Sequence, residues 1–262
     1  MNNIKKILII TLLTVINSSL IYSQEEDNVE EVVVISSKIP VPLSEVVGSV
    51  TLITQDDLEA RVVSDLGDIL ENTVGVSVPR NSQYGRYYNE GISIRGLGGS
   101  RVNIFVDGVR VSDAYAGYGR DVVEVDLLKR VEILKGPTSA LYGSDGLAGA
   151  VSYVTKDASD FTESGFHYSA RYSHFSDSDQ EKYSFLSAYV GERVEGILQF
   201  TNKNSSEMNL HDDAVQNPNP VRSEGESILG KFTFDLNDNI DITFTLDSQE
   251  WTSDIVVLTD IG

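Results

Sequence analysis

The chain has 262 residues, no cysteine, and 40 acidic against 20 basic side chains, for a formal charge of −20. So negative a field opposes the phosphate backbone, which excludes nucleic acid as a partner. The lack of cysteine excludes a disulfide framework. Most of the acids read as a solvated surface and by themselves name no ligand.

Lys5 and Lys6 precede an apolar run from Ile7 to Ile16 and small or polar residues ending at Ser23-Gln24. That order predicts a secretory signal over residues 1–23, cleaved after Ser23. The run is shorter than the roughly 20 apolar residues of a spanning helix. No later segment is uniformly apolar, so any membrane crossing has to use β-strands. Residues 24–44 read as a flexible acidic arm, disordered from Gln24 to about Pro42. Within it, Val32-Val33-Val34-Ile35-Ser36-Ser37 is a β-branched run bounded by Pro40 and Pro42. Such a segment suits addition to another protein's sheet edge better than a place inside a central strand.

From residue 45 to 158 the pattern is mixed α/β. Val46 to Ile53 reads as a strand, and Thr54 as a helix N-cap with Asp56 and Asp57 near the positive end of the dipole. Ser64 begins a second helix with Leu66, Ile69 and Leu70 on one face, broken at Gly75. Asp107-Gly108 between Val102–Val106 and Val109–Val111 predicts a type I′ hairpin. Val131 to Leu134, stopped by Gly136-Pro137, and Gly149 to Thr155 complete one modest sheet with helices.

From residue 162 to 262 strict alternation takes over. Phe166, Tyr168, Ala170 and Tyr172 share one parity; Val194, Gly196, Leu198 and Phe200, then Ile228, Gly230, Phe232, Phe234 and Leu236, and finally Ile240, Ile242, Phe244 and Leu246 repeat it. The segments run to about ten residues, the length of a tilted membrane strand. Gly191-Glu192 and Asn237-Asp238-Asn239 are tight turns and Ser205 to Glu224 a long connection, the loop asymmetry of a transmembrane barrel. The fold class reads as an α+β domain, which the family resemblance given below makes a plug domain, followed by antiparallel β-strands of an incomplete transmembrane β-barrel. About 22 strands accommodate a plug, so the chain is expected to be part of a longer one; a soluble, secreted ligand-binding fragment is the alternative.

Four motifs carry a family resemblance. Glu31-Val32-Val33-Val34-Ile35-Ser36 is similar to a TonB box, Ile92-Ser93-Ile94-Arg95-Gly96-Leu97-Gly98 to a plug strand-and-turn, and Phe105-Val106-Asp107-Gly108-Val109 to its hairpin. The fourth is Val131-Glu132-Ile133-Leu134-Lys135-Gly136-Pro137-Thr138-Ser139-Ala140-Leu141-Tyr142-Gly143, followed by Gly149-Ala150-Val151. In this order they resemble the TonB-dependent outer-membrane receptors of Gram-negative bacteria. Gly119 to Arg130, Tyr142 to Gly149 and Asn217 to Lys231 resemble the haem and haemoglobin receptor branch. Lys135 stands where many relatives carry Arg, and residues 45–155 contain no histidine, where haem receptors commonly offer one to iron.

The resemblance implies a transporter that imports an iron-bearing nutrient, haem or haem from haemoglobin, with a ferric siderophore receptor as the alternative. It implies the TonB energy-coupling protein and outer-membrane lipid as partners, and haem as a transported ligand rather than a resident cofactor. By resemblance Glu31, Val32, Val33, Val34, Ile35 and Ser36 form the box, and Arg95, Glu132 and Lys135 contact the barrel wall. Tyr84, Tyr87, Tyr88, Tyr115, Tyr118, Arg120 and His211 are the candidate ligand contacts: their aromatic faces stack on a macrocycle and Arg pairs with carboxylates. His167 falls on the lumen parity and His174 on the outer one. Which residue meets iron stays open. An enzyme is not expected. The chain shows no Ser/His/Asp constellation and no metal-spaced His/Cys set, and the Gly96 cluster lacks the Lys-Ser/Thr of a phosphate loop.

Overall fold

A computed structural model describes residues 32–33, 35, 41–46, 48–60, 63, 65–78, 91–111, 123–143, 145–209, 219–237 and 240–258, all within one compact unit, Val32–Gly262. The signal segment lies outside the described residues.

A five-stranded sheet organises the first half. Its strands are β3 (Ser49–Ile53), β7 (Val102–Val106), β8 (Val109–Arg110), β9 (Leu128–Lys135) and β10 (Gly149–Thr155), in the order β3-β9-β10-β7-β8. The β7–β10 pair is parallel and the other neighbours are antiparallel. Period-2 alternation divides β9 and β10 between two faces. Val131, Ile133, Val151 and Tyr153 pack with Ile69 and Leu70 in the main core, while Leu134 and Ala150 join Phe105 and Ile35 in a smaller cluster on the other face.

Helix α1 (Gln55–Ala60) starts as its sequence dictates. The Asp57 amide donates to Thr54 Oγ1 at 3.3 Å, and the Asp57 carboxylate accepts from the Thr54 amide at 3.1 Å, a reciprocal cap. Helix α2 (Leu66–Glu71) is capped by Asp65, which accepts from the Asp68 amide. The expected strand from Val46 is shorter and begins at Ser49, after Gly48 with φ +149°. Short strands β4 (Val76–Ser77), β5 (Ser93–Ile94) and β6 (Leu97–Gly98) form a separate sheet. The Asp107-Gly108 turn has φ +46° and +79°, the two positive values a type I′ turn requires.

The second half is one antiparallel sheet in sequence order: β11 (Gly165–Phe175), β12 (Gln180–Val190), β13 (Val194–Ser206), β14 (Val221–Asn237) and β15 (Ile240–Ile255). β12 lies directly before the Gly191-Glu192 turn and lacks the clean alternation of the other strands. The long connection is also shorter than expected, running from Glu207 to Pro220. On the outer face Phe166, Tyr168, Tyr183, Phe185, Leu198, Phe200, Phe232, Phe234 and Phe244 are exposed. On the inner face Leu186, Ala188, Ile197 and Leu229 pack against Leu127, Ala158 and Phe161 of the first half. The rest of the inner face is mainly Ser, Thr, Gln and Lys.

Candidate functional site

The first candidate site is the seat of Ile35. β1 (Val32–Val33) pairs with β2 (Val41–Pro42), Val33 opposite Val41. Beyond it Ile35 is 2% exposed and covers Phe105, Leu134 and Ala150 on the second face of the plug sheet. Its amide donates to Glu132 Oε2 at 2.8 Å, and its carbonyl accepts from the Tyr142 hydroxyl at 2.8 Å. The segment expected to be a free arm thus pairs with itself at Val32 and Val33 and is docked on the plug sheet at Ile35.

Local sequence explains how Glu132 and Tyr142 arrive there. Glu132 alternates with Val131 and Ile133 on β9, so it faces away from the main core; it is fully buried, and Arg130 Nε holds its other oxygen at 2.8 Å. Gly136-Pro137 ends β9, and Thr138 folds back onto the Gly146 carbonyl through its amide at 2.7 Å and its hydroxyl at 3.1 Å. Between them sits helix α3 (Ser139–Tyr142), which lays the Tyr142 ring 4.5 Å from that of Phe105. Burial, then the Glu132 charge, raises the Tyr142 hydroxyl above its ordinary value, so it stays a donor.

The second candidate site is the seam between plug and strands. Glu124, buried just before the 3-10 turn Val125–Leu127, receives Lys182 Nζ at 2.5 Å and Lys203 Nζ at 3.4 Å. Asp126 receives Lys182 at 3.0 Å, Arg171 at 3.1 Å and the Ser184 hydroxyl at 3.0 Å. Register places Lys182, Lys203, Gly225 and Trp251 in one row across β12 to β15. The Lys203 ammonium lies 4.5 Å from the Trp251 ring centroid. Trp251 in turn lies so close over Gly225 that a Cβ there would meet it at 2.7 Å. Burial alone would raise the Glu124 pKa; Lys182 and Lys203, by charge and hydrogen bond, outweigh it and hold the carboxyl down to about 2.

A second link joins the hairpin to β14. Lys231 reaches Asp157 at 2.9 Å and Asp107 at 3.4 Å. Asp107 also accepts from the Thr155 amide at 2.8 Å and the Thr155 hydroxyl at 2.6 Å. In each of these ion pairs across the seam the plug brings the acid and the sheet brings the base.

The described contacts of Arg95, Glu132 and Lys135, the residues assigned to the wall, lie within the plug. Glu132 binds Ile35 and Arg130, as above. Lys135 Nζ donates to the Val74 carbonyl at 2.7 Å. Burial, then the neighbouring Arg95 guanidinium, lowers the Lys135 pKa below the ordinary lysine range. Arg95 itself sits at φ +52° in the turn after β5, its amide donating to the Gly75 carbonyl at 2.8 Å. The ion pairs described across the seam belong to Glu124, Asp126, Asp107 and Asp157, which sequence reading did not assign to the wall. Their signal was partial: acids of the plug facing lysines at inner-parity positions of the sheet. Tyr84, Tyr87, Tyr88, Tyr115, Tyr118, Arg120 and His211, with Glu31, Val34 and Ser36 of the box, lie outside the described residues. His167 faces inward and stacks on Phe161 at 5.7 Å, and His174 is exposed on the outer parity beside Asp179.

Residues 42–150 match the family described as TonB-dependent Receptor Plug Domain. The vitamin B12 transporter BtuB of Vibrio vulnificus is 35% identical over 137 residues, 52% of this chain and 22% of that relative. The ferripyoverdine receptor of the outer membrane of Pseudomonas aeruginosa superposes with a TM-score of 0.68 at 20% identity, covering 85% of this chain and 28% of the receptor. The ferric enterobactin receptor PfeA of the same organism gives 0.60 at 22% identity, covering 79% and 34%. The chain thus spans about a fifth of the transporter and about a third of the solved receptors. Residues 42–150 thus match a TonB-dependent receptor plug domain, and the chain joins them to antiparallel strands that share the fold of the solved receptors.

Proposed function

We propose that the protein containing this chain is an energised transporter of a Gram-negative outer membrane, taking an iron-bearing nutrient through a barrel that the plug closes. One observation carries the reading: a plug fold held by ion pairs to a sheet whose apolar face points outward and whose polar face points to the plug. Strands of 11 to 17 residues are long enough for the roughly 9–11 that cross a bilayer. The exposed phenylalanines and tyrosines of the outer face fit lipid and its interfaces. TonB, recruited through the box at 31–36, is the proposed source of energy. A soluble secreted fragment would leave those aromatic side chains in water, at a cost in solubility.

For the cargo, haem or haem from haemoglobin rests on the sequence resemblance of Gly119 to Arg130 and of Asn217 to Lys231, and a ferric siderophore is the second reading. The solved receptors resemble this chain at about a fifth identity, which speaks to fold and not to cargo. Growth of iron-starved cells carrying the complete gene, with haemoglobin or ferric siderophores as sole iron source, tests the choice. Growth on haemoglobin with a shift of the haem absorption band on adding purified receptor is expected. Growth on siderophores alone, with no band shift, would overturn haem and leave the transporter reading in place.

A further inference from the structure

We propose that Glu132 and Tyr142 form a two-point clasp on the backbone of Ile35 that competes with the energy-coupling partner for that residue's amide and carbonyl. The inference rests on the box reading above and adds the residues that control the box's availability.

Strand addition takes its affinity from main-chain hydrogen bonds. In an antiparallel ladder a residue that exchanges bonds across the pair uses both its N–H and its C=O. Both groups of Ile35 are already committed, the amide to Glu132 Oε2 and the carbonyl to Tyr142, each at 2.8 Å. The grip is made by side chains, so it opens without undoing a strand of the plug sheet. Its acceptor is pre-set: Arg130 fixes one oxygen of a fully buried carboxylate and leaves the other aimed at the Ile35 amide. The Ile35 side chain adds apolar burial over Phe105, Leu134 and Ala150. A partner that pairs with Ile35 therefore has to break both hydrogen bonds and lift the side chain from this seat, while pairing confined to residues N-terminal to it does not. Glu132, one of the two points of the clasp, sits on β9, the strand that begins directly after the wall-bound turn of Glu124 and Asp126. Release of the box and the hold of the plug on the wall thus bear on the same strand.

Tyr142→Phe removes the donor to the Ile35 carbonyl and keeps the ring against Phe105. In the complete receptor, two measurements are made without cargo: the mobility of a spin label at Glu31→Cys, and the affinity for the periplasmic domain of TonB. Loss of one hydrogen bond predicts a released fraction and a partner affinity each raised about three- to tenfold. Val33→Pro, in the same assays, should abolish partner binding whatever the state of the clasp. Greater label mobility with unchanged partner affinity would overturn the competition, and so would no change in either measurement. No partner binding by any receptor, cargo-loaded wild type included, would overturn the box reading itself and the clasp with it.

Discussion

The plug and the strand sheet solve opposite burial problems with the same residue types. In the plug, Val131, Ile133, Val151 and Tyr153 are fully buried. In the sheet, Phe166, Phe232 and Phe244 point outward, and Lys182, Gln199 and Thr201 are the buried ones. The difference teaches that burial of apolar groups is a rule about the solvent each face meets. Water surrounds a soluble core, whereas hydrocarbon is a suitable medium for the outer face of a membrane sheet and a filled lumen for its inner face.

The comparison breaks most readily at the seam, where the polar faces of both regions share buried charge. Glu124→Ala leaves Lys182, whose side chain is 3% exposed, without its shortest ion pair. Losing one partner of such a buried network is expected to destabilise the complete receptor by about 3–5 kcal/mol, read from denaturant unfolding in detergent. Replacing Glu124 together with Lys182 and Lys203 by apolar residues of similar volume should recover most of that loss, because no charge is then left unpaired.

The next test sets the two faces of one strand against each other. Phe232→Arg puts a charge on the outer face of β14 and is expected to cost about 2–4 kcal/mol in bilayer folding titrations. Thr233→Arg, one residue on and facing inward, should cost less than half as much. Equal costs would mean that the outer face does not meet lipid.

A smaller effect follows from pH. An unperturbed glutamate carboxyl titrates near 4.5, and Glu124 in the folded protein is held down to about 2. The unfolded chain therefore takes up this proton first on acidification. The stabilisation is complete above about 4.5 and is lost as pH falls from there toward 2. Unfolding midpoints across that window should fall less steeply for Glu124→Gln than for wild type.

Much of the fold was legible because its signals are local. Thr54 with Asp57 and the Asp107-Gly108 turn need only neighbours in sequence, and both appear as expected. The alternation of β12 was hidden because its inner face changes character along its length. Lys182 and Ser184 meet plug carboxylates while Leu186 and Ala188 meet Leu127 and Ala158, so apolar residues occur on both parities and the alternation blurs. The seam was hidden for another reason: Glu124 and Lys182 are 58 positions apart, and each alone is an ordinary charged residue. The parity of Glu132 opposite Val131 and Ile133 was visible, but its partner Ile35 lies 97 positions away.

Energised transport through the box is the central claim, and Val33→Pro in the complete receptor tests it most directly. Proline removes a backbone donor that strand addition to TonB requires and leaves the cargo-facing parts of the protein untouched. Cargo binding to intact cells and uptake into them are measured side by side in the variant and the wild type. Binding at the wild-type level with uptake abolished is the predicted result. Uptake at the wild-type rate, or binding and uptake lost together, would contradict it.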